Sequence, residues 1–366
     1  MSHETKYKAV FARGGTSKAL IFHLKDLPQD RSKWDQLFLA AMGSPDPYGR
    51  QLDGMGGGVS SLSKVCIVGP SSRPDADVDY TFVQVQVKEA RTDWQGNCGN
   101  MSSAIGPFAV DEGLVPAKDG NATVRIHNTN TRKIINATFA VSGGRSVEAG
   151  DLAIPGVSGT GAPVRLDFME PGGASSGKLL PTGRVTDRVG DLEASLVDAA
   201  NATVFIDAAA IGLTGKELPT DIEERPQILK RLAEIRAQGA EAMGLPKSNF
   251  IPFIAFVSAP QDARTLAGDT IPASAVDLVV RIISNGQPHR ALPLTGSLCT
   301  AVACGLAGSI PNRLARRERS GPLRLGMPSG VITVDADVAQ QNGQWHAARG
   351  SFYRTTRRLF DGFVYA

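Results

Sequence analysis

The sequence predicts an α+β protein built from two related halves, and three observations support this class. The chain has 366 residues, which is long for one hydrophobic core and suggests two domains. Several β-rich runs are bounded by turn residues. Two short helices of small residues begin near Asn100 and Ser297, each after a polar or glycine-containing loop and each before strand-like sequence. A stretch rich in Gly and Pro, residues 142–202, separates the halves.

Five segments are predicted to be strands. Valines at positions 83, 85 and 87 alternate with Gln84 and Gln86, which is the period of a half-buried strand. The other four are β-rich runs bounded by turn residues, at 122–127, 134–141, 202–207 and 276–284.

Two amphipathic helices are predicted outside the small-residue helices. One ends at Gly43, and the other lies within residues 222–243. Their apolar faces comprise Trp34, Leu37, Phe38 and Ala41 in the first helix and Ile228, Leu232 and Ile235 in the second.

The composition is that of a globular protein, with 42% hydrophobic and 20% charged residues. A formal net charge of +3 is too near balance to indicate nucleic-acid binding, but it suits a small anionic substrate. Basic residues are most concentrated near the C-terminus, at Arg313, Arg316, Arg317, Arg319, Arg354, Arg357 and Arg358. No aromatic platform is interleaved with the first four, which favours a solvated surface.

No apolar signal region opens the sequence, and no stretch reaches about 18 uninterrupted apolar residues. We therefore expect neither secretion through a visible signal nor a membrane span. The four cysteines show no CxxC spacing and have no histidine cluster beside them. We expect reduced thiols in a cytoplasmic compartment, with neither a disulfide framework nor a zinc site.

Cys98 lies between two Gly/Asn pairs in WQGNCGNMSSAIGPFAV, just before one of the small-residue helices. The first N–H groups of a helix lack intrahelical partners, and the helix dipole adds partial positive charge there. A thiol at such a position is favoured in its thiolate form. Two helix starts of this kind form a coherent carboxylate site. The alternative is that Gly and Asn provide only a tight turn and an N-cap.

A second cluster is DGMGGGVSSLSKVCIVG, residues 53–69, where three glycines and three serines lead to Lys64 at the start of an apolar strand. The segment lacks the GxxxxGK[ST] pattern of a phosphate loop. A lysine beside such a loop is a candidate general base or Schiff-base residue. A snorkelling surface lysine is the alternative. Cys66, Cys299 and Cys304 lie in apolar segments and are expected to be packing residues.

A third cluster is FARGGTSKALIF, residues 11–22. Its donors are Arg13, Thr16, Ser17 and Lys18, which are suited to binding carboxylates. The alternative is a turn between two short strands.

Four motifs occur in order: FARGGTSK, GSPDPYGRQLDGMGGGVSSLSKV, GNCGNMSSAIGPFAVDEGLV and TGSLCTAVACGLAG. Together they resemble the 2-methylaconitate isomerase family, within the wider group that shares the diaminopimelate epimerase fold. The likeness runs from about residue 8 to residue 365.

This resemblance implies two similar epimerase-like domains, each a mixed sheet wrapped around a central helix, with the active site in the cleft between them. We place the domains at residues 1–185 and 186–366, with the C-terminal strand able to cross over to the first. The resemblance also implies cofactor-independent proton transfer, without metal, nicotinamide or pyridoxal phosphate.

In the epimerases two cysteines face each other across the substrate. Cys98 matches the first, whereas Thr295 stands at the second, which argues against a two-thiol racemase. Lys64 matches a lysine that acts with the first-half cysteine in 2-methylaconitate isomerase-like proteins. Our hypothesis gives Lys64 the base role and Cys98 the acid role, and the reverse assignment stays open.

Carboxylates are expected to bind backbone groups at the two helix starts and nearby side chains. The predicted substrate-binding residues are Thr16, Ser17, Arg50, Ser60, Ser61, Asn97, Gly99, Asn100, Met101, Arg290, Thr295, Gly296 and Ser297. For Arg290 a solvated surface charge is the favoured alternative.

The Ser60–Ser61 pair is more similar to 2-methylaconitate and aconitate isomerases than to 4-oxalomesaconate tautomerases, whose lysine motif follows an Asp-Pro segment. We therefore expect an isomerase that shifts the double bond, or changes its geometry, in a small unsaturated tricarboxylate. The alternatives are a keto–enol tautomerase, an amino-acid epimerase and a non-catalytic binding partner. No nucleic-acid or membrane partner is expected, and a homodimer is the assembly considered.

Overall fold

The computed structural model describes residues 5–94, 98–246, 251–284, 286–316 and 321–366. Its contacts divide the chain into two compact units: unit 1 is Met1–Asp167 with Tyr353–Ala366, and unit 2 is Phe168–Phe352. Relative to the boundary expected at residue 185, these contacts assign residues 168–185 to unit 2. They assign the C-terminal residues to unit 1, because the last strand pairs with the first.

Six α-helices and 23 strands are present in the described residues. The helices are α1 (Trp34–Met42), α2 (Gly99–Asp111), α3 (Pro219–Glu223), α4 (Pro226–Ala242), α5 (Leu294–Gly305) and α6 (Ile310–Leu314). The first eleven strands are β1 (Lys6–Gly14), β2 (Ser17–His23), β3 (Lys64–Pro70), β4 (Val78–Val85), β5 (Thr92–Asp93), β6 (Gly120–Asn128), β7 (Lys133–Ser142), β8 (Arg145–Ser146), β9 (Leu152–Ala153), β10 (Thr160–Gly161) and β11 (Val164–Met169). The others are β12 (Asp187–Val189), β13 (Leu192–Ala199), β14 (Asn201–Asp207), β15 (Phe253–Ser258), β16 (Ala263–Arg264), β17 (Thr270–Ile271), β18 (Leu278–Ser284), β19 (Gln287–Pro288), β20 (Leu323–Met327), β21 (Gly330–Gln341), β22 (Gln344–Arg354) and β23 (Thr356–Tyr365).

Unit 1 contains a mixed sheet in which β23, β1, β2, β3, β4, β6, β7 and β8 pair in that order. The pairs β2–β3 and β4–β6 are parallel, and the others are antiparallel. The short strand β5 pairs with the end of β4. Parallel neighbours need a crossover connection, and the chain between β2 and β3 supplies α1 while the chain between β4 and β6 supplies α2.

The two helices of unit 1 are buried differently. Helix α1 packs an apolar stripe against one face of the sheet, where Trp34 and Phe38 meet Leu20, Phe22 and Val65. Helix α2 is buried on all sides, because every residue from Met101 to Val110 is inaccessible. A helix without a polar face is typical of a core position. Alternating strand residues therefore separate a face that packs on α1 from a face that packs on α2.

Unit 2 repeats this topology. Strands β13, β14, β15, β18, β20 and β21 pair in order with the same sequence of antiparallel and parallel neighbours as β1, β2, β3, β4, β6 and β7. Helix α4 occupies the place of α1, and α5 occupies the place of α2. Helix α5 is likewise buried on all sides over residues 296–304. The prediction of two related α+β halves is confirmed.

The predicted elements are found with small changes in their bounds. Gly43 ends α1 in a left-handed conformation, with φ of 70°. The strand expected through residue 87 ends at Val85. Residues 11–22 lie in the hairpin β1–β2, which agrees with the alternative of a turn between two strands. The C-terminal strands β20 to β23 were not predicted. Their charged and polar residues interrupt the alternation of apolar and polar positions that identifies a strand in a sequence.

Within the described ranges, no helix is long and apolar enough to span a membrane.

The tip of the β1–β2 hairpin lies directly against the first turn of α2. A Cβ atom on Gly14 would stand 2.6 Å from the carbonyl oxygen of Asn100 and 3.0 Å from the Cα atom of Met101. Both are backbone atoms, so neither can rotate away. Gly14 is therefore required for this close approach.

We predict that Gly14→Ala lowers the free energy of unfolding by about 2–3 kcal/mol, because the added methyl group displaces backbone. Gly326→Ala is the matched control, since Gly326 is also a strand glycine but its added Cβ would come no closer than 3.1 Å to any atom, a methyl carbon of Val276. The control is expected to cost less than about 1 kcal/mol, because a side chain moves more easily than backbone. Urea unfolding measures both, and equal effects would contradict the assigned role of Gly14.

Candidate active site

Cys98 is the N-cap residue of α2. Its backbone is extended, with φ of −106° and ψ of 98°, and its carbonyl oxygen accepts the first intrahelical hydrogen bond from the Ser102 N–H at 2.9 Å. The following N–H groups, of Gly99, Asn100 and Met101, have no carbonyl four residues earlier within the helix. The Cys98 side chain is partly exposed and makes no capping hydrogen bond. The sequence prediction of a thiol at a helix start is confirmed.

The Cys98 thiol faces the β1–β2 hairpin. Its sulfur lies 4.0 Å from the hydroxyl oxygen of Ser17, a residue that is 3% exposed. Ser17 pairs with Gly14 across a two-residue turn, and Gly15 in that turn has φ of +52°. The hairpin turn therefore presents a buried hydroxyl to the thiol.

The side chain of Asn100 joins the hairpin to the C-terminal segment of unit 1. Its amide nitrogen donates to the Thr16 hydroxyl at 3.1 Å, and its amide oxygen accepts a hydrogen bond from Nε of Arg354 at 3.0 Å. Burial lowers the pKa of Arg354 to about 10. The interpretation of Arg354 as part of a basic surface cluster was wrong, because only 7% of this residue is exposed.

Lys64 begins β3 and is buried, with 8% exposure. Its Nζ donates to Oε1 of Gln84 at 2.5 Å and lies 5.0 Å from the centroid of the Phe82 ring. A snorkelling surface lysine is excluded by this burial. Lys64 pairs with Ala19 on β2, and Ala19 lies two residues after Ser17. Alternate strand residues share a face, so Lys64, Ala19 and Ser17 all point to the α2 side of the sheet.

The buried thiol of Cys66 lies within electrostatic reach of both candidate catalytic residues. Burial raises its pKa far above the ordinary range, a charge on Cys98 raises it further, and the Lys64 ammonium lowers it. The Cys66 sulfur is 3.8 Å from the hydroxyl oxygen of Tyr80, which is also fully buried. Cys66 is a packing residue, as predicted, and it lies on the sheet face that carries Lys64.

The glycine-rich segment before Lys64 is organised by Gln51, which is 1% exposed and has φ of 54°. Its side-chain oxygen accepts hydrogen bonds from the Gly58 N–H at 2.9 Å and from the Ser63 hydroxyl at 2.6 Å. A Cβ on Gly56 would collide with this side chain. The glycines therefore leave room for a buried glutamine. The predicted residues Ser60 and Ser61 lie in the 3-10 turn Ser60–Leu62 that follows.

In unit 2, Pro293 is the N-cap of α5, two residues before Thr295, the residue that the resemblance aligned with the second epimerase cysteine. The first N–H groups of α5 are those of Leu294, Thr295 and Gly296. The Ser297 N–H already donates to the Pro293 carbonyl at 2.9 Å, and the Ser297 hydroxyl donates to backbone carbonyls of the same helix. The assignment of Thr295, Gly296 and Ser297 to carboxylate binding stays a prediction.

The remaining predicted residues are Arg50, Arg290 and Asn97. Arg50 is exposed and lines a cavity of about 690 Å³ with Tyr48, Leu52 and Tyr365. Arg290 is exposed and lies 3.8 Å from a Glu223 carboxylate oxygen, consistent with a surface charge. The predicted residue Asn97 lies outside the described residues.

Sequence reasoning missed the residues that support the site, chiefly Gln51, Ser63, Gln84 and Arg354. Gln84 was noted only as a polar position in an alternating strand. The register between β3 and β4 could have identified it, because Gln84 lies opposite Lys64 on the sheet face that α2 covers. Buried polar side chains need hydrogen-bond partners, so these two residues are expected to pair. In the part of the chain that the structure describes, no group of three or more His, Cys, Asp or Glu side chains is arranged to hold a metal ion.

Comparison with solved structures defines the class. A methylitaconate-delta-isomerase structure matches with a TM-score of 0.93 at 40% identity, covering 100% of this chain and 96% of that one. A hydroxyproline epimerase from Agrobacterium vitis matches at a TM-score of 0.50 and 12% identity, covering 100% of this chain and 94% of that one, which shows the fold alone. The predicted epimerase-like fold is confirmed, and the chain is an isomerase of this class.

The particular family follows from the sequence matches. The family model described as PrpF protein matches residues 4–366, and the chain belongs to this family. It is 40% identical to the 3-methylitaconate isomerase of Eubacterium barkeri, covering 100% of this chain and 98% of the relative. It is 38% identical to the 2-methyl-aconitate isomerase of Shewanella oneidensis, covering 99% of this chain and 97% of the relative.

We predict that iodoacetamide alkylates Cys98 at least about tenfold faster than the other three cysteines in the folded protein. Cys66, Cys299 and Cys304 are buried, so the reagent does not reach them. Burial also raises the pKa of Cys66, and that of Cys299 to about 12, which keeps these two thiols protonated. Mass spectrometry of tryptic peptides after timed labelling gives the four rates. Cys98→Ser removes the fast site in the control, and equal rates at all four thiols would contradict this assignment.

Proposed function

We propose that the chain moves a proton within a small unsaturated polycarboxylate such as 2-methylaconitate or aconitate, with Lys64 and Cys98 as the proton-transfer pair. The observation that carries the proposal is the sheet face that Lys64 and Ser17 share, because Ser17 contacts the Cys98 thiol. A nitrogen base and a sulfur acid are thereby associated with one face of unit 1. The full-length relatives named for 3-methylitaconate and 2-methyl-aconitate support an acid of this kind.

The chemistry needs a base, an acid and donors fixed around the carboxylates. A hydrogen on the carbon next to the double bond is acidic, because the anion left behind spreads over the double bond and an adjacent carboxylate. Neutral Lys64 takes this proton and becomes an ammonium. The Cys98 thiol returns a proton at the other end of the allylic system and becomes a thiolate. The double bond moves, and proton exchange between the two residues and solvent restores the starting state.

The reverse direction uses the same pair with opposite roles, Cys98 thiolate as base and Lys64 ammonium as acid. In both protonation states the pair holds one transferable proton, on Cys98 in the forward direction and on Lys64 in the reverse direction. The reaction on the enzyme can therefore run both ways.

Substrate carboxylates are proposed to bind at the start of α2, where the N–H groups of Gly99, Asn100 and Met101 lack intrahelical acceptors. The Thr16 and Ser17 side chains and the Ser60–Ser61 turn are further donors near this face. Cofactor-independent catalysis is part of the proposal, because both proton-transfer roles are assigned to side chains.

The decisive measurement is proton NMR of the purified protein in D₂O with 2-methylaconitate, cis-aconitate and 3-methylitaconate supplied separately. We expect a new isomer that carries deuterium at an allylic carbon. Lys64→Ala and Cys98→Ala should each lower the rate by about 10²–10⁴-fold, the usual contribution of a positioned acid or base. Cys304→Ala, a buried thiol in α5, is the matched control and should keep the wild-type rate.

Full activity in either Lys64→Ala or Cys98→Ala would overturn the proposed pair. If these acids stay unchanged while 4-oxalomesaconate is tautomerised, the substrate proposal fails and the alternative keto–enol reaction replaces it.

A further inference from the structure

One neutral side chain, Gln84, contacts both Lys64 and the loop that precedes it. Gln84 lies on β4 directly opposite Lys64 on β3. Its Oε1 accepts the hydrogen bond from the Lys64 Nζ at 2.5 Å. Its Nε2 donates to the carbonyl oxygens of Ser60 at 3.0 Å, Ser63 at 3.0 Å and Val85 at 3.2 Å.

These partners allow only one orientation of the Gln84 amide. The three backbone carbonyls are acceptors only, and an ammonium is a donor only. Rotating the amide by half a turn would place its oxygen against carbonyl oxygens and its N–H groups against the lysine N–H groups. The amide oxygen therefore faces Lys64, and the loop that carries Ser60 and Ser63 fixes it there.

An amide oxygen accepts an N–H from either the ammonium or the neutral amine, and it brings no negative charge. A carboxylate in its place would strongly favour the ammonium and remove the base. We propose that Gln84 is a positioning residue that directs the Lys64 amine while leaving both of its protonation states accessible. This inference rests on the proposed function, in which Lys64 exchanges a proton with substrate.

The groups that share this sheet face with Lys64 are Cys66 on β3, Tyr80 on β4, Asp93 on β5 and Cys98 at the start of α2. Burial raises the pKa of both Cys66 and Tyr80, so these two stay neutral near pH 7. Helix α2 has no acidic residue in its first turn. All four groups are retained in variants of residue 84, so a difference between such variants reports on the contact with Lys64.

The test compares Gln84→Glu and Gln84→Met with the wild type by measuring kcat and KM from about pH 6 to pH 10. Gln84→Met removes the amide and should lower kcat by about 10²-fold with little change in KM, because only the orientation of the base is lost. Gln84→Glu keeps the shape and adds a negative charge. It stabilises the ammonium, so the rise of kcat with pH should move upward by about one pH unit or more.

Gln36→Glu and Gln36→Met are the matched controls, because Gln36 is an exposed glutamine of α1, which packs on the sheet face opposite to that of Lys64. Both should keep the wild-type pH profile. If a decline at high pH moves upward while the rise does not, Lys64 acts as the acid and Gln84 keeps its positioning role.

Failure of the inference about Gln84 and failure of the proposed function give different results. If Lys64→Ala is inactive while both Gln84 variants, folded by circular dichroism, keep the wild-type kcat and pH profile, the inference about Gln84 is overturned and the proposed function stands. If Lys64→Ala keeps full activity, the proposed function is overturned, and the inference about Gln84 with it.

Discussion

The candidate site depends on one steric constraint, the approach of the β1–β2 hairpin to the first turn of α2. Gly14 allows strand backbone to lie against the backbone of Asn100 and Met101, where a Cβ would overlap. This contact places the Ser17 hydroxyl beside the Cys98 thiol and brings Thr16 within reach of the Asn100 amide. Gly99 and Asn100 are half-buried, whereas residues 101–110 are buried, so the first N–H groups of the helix and its cap thiol lie together at the accessible helix start.

The repeated topology makes the chemical asymmetry of the two units easy to see. Each unit places a buried helix on a mixed sheet, and the strand after the first crossover begins with Lys64 in unit 1 and with Phe253 in unit 2. The cap of the buried helix is Cys98 in unit 1 and Pro293 in unit 2. The fold is therefore duplicated, but the candidate acid–base residues Lys64 and Cys98 are not repeated at these two positions of unit 2.

Two buried basic residues of unit 1, Lys64 and Arg354, donate hydrogen bonds to neutral acceptors. Lys64 donates to an amide oxygen, and Arg354 donates to the amide oxygen of Asn100 and to the carbonyl of Tyr353 at 2.8 Å. Burial lowers the pKa of Arg354 to about 10. These neutral acceptors bind the guanidinium without the stabilisation that a carboxylate would give to the cation.

The sequence by itself determined the two related halves, the two helices of small residues and the position of Cys98 at a helix start. Hydrophobic periodicity and glycine position depend on local backbone geometry, and a cysteine before a small-residue helix is visible in one segment. The roles of Gln84, Gln51 and Arg354 were decided only by tertiary structure. A glutamine in an alternating strand, or an arginine among other basic residues, looks like a surface residue until strand register shows what lies opposite it. Gln84 and Lys64 are 20 residues apart in the sequence, and Arg354 and Asn100 are 254 residues apart, so no local pattern predicts these pairings.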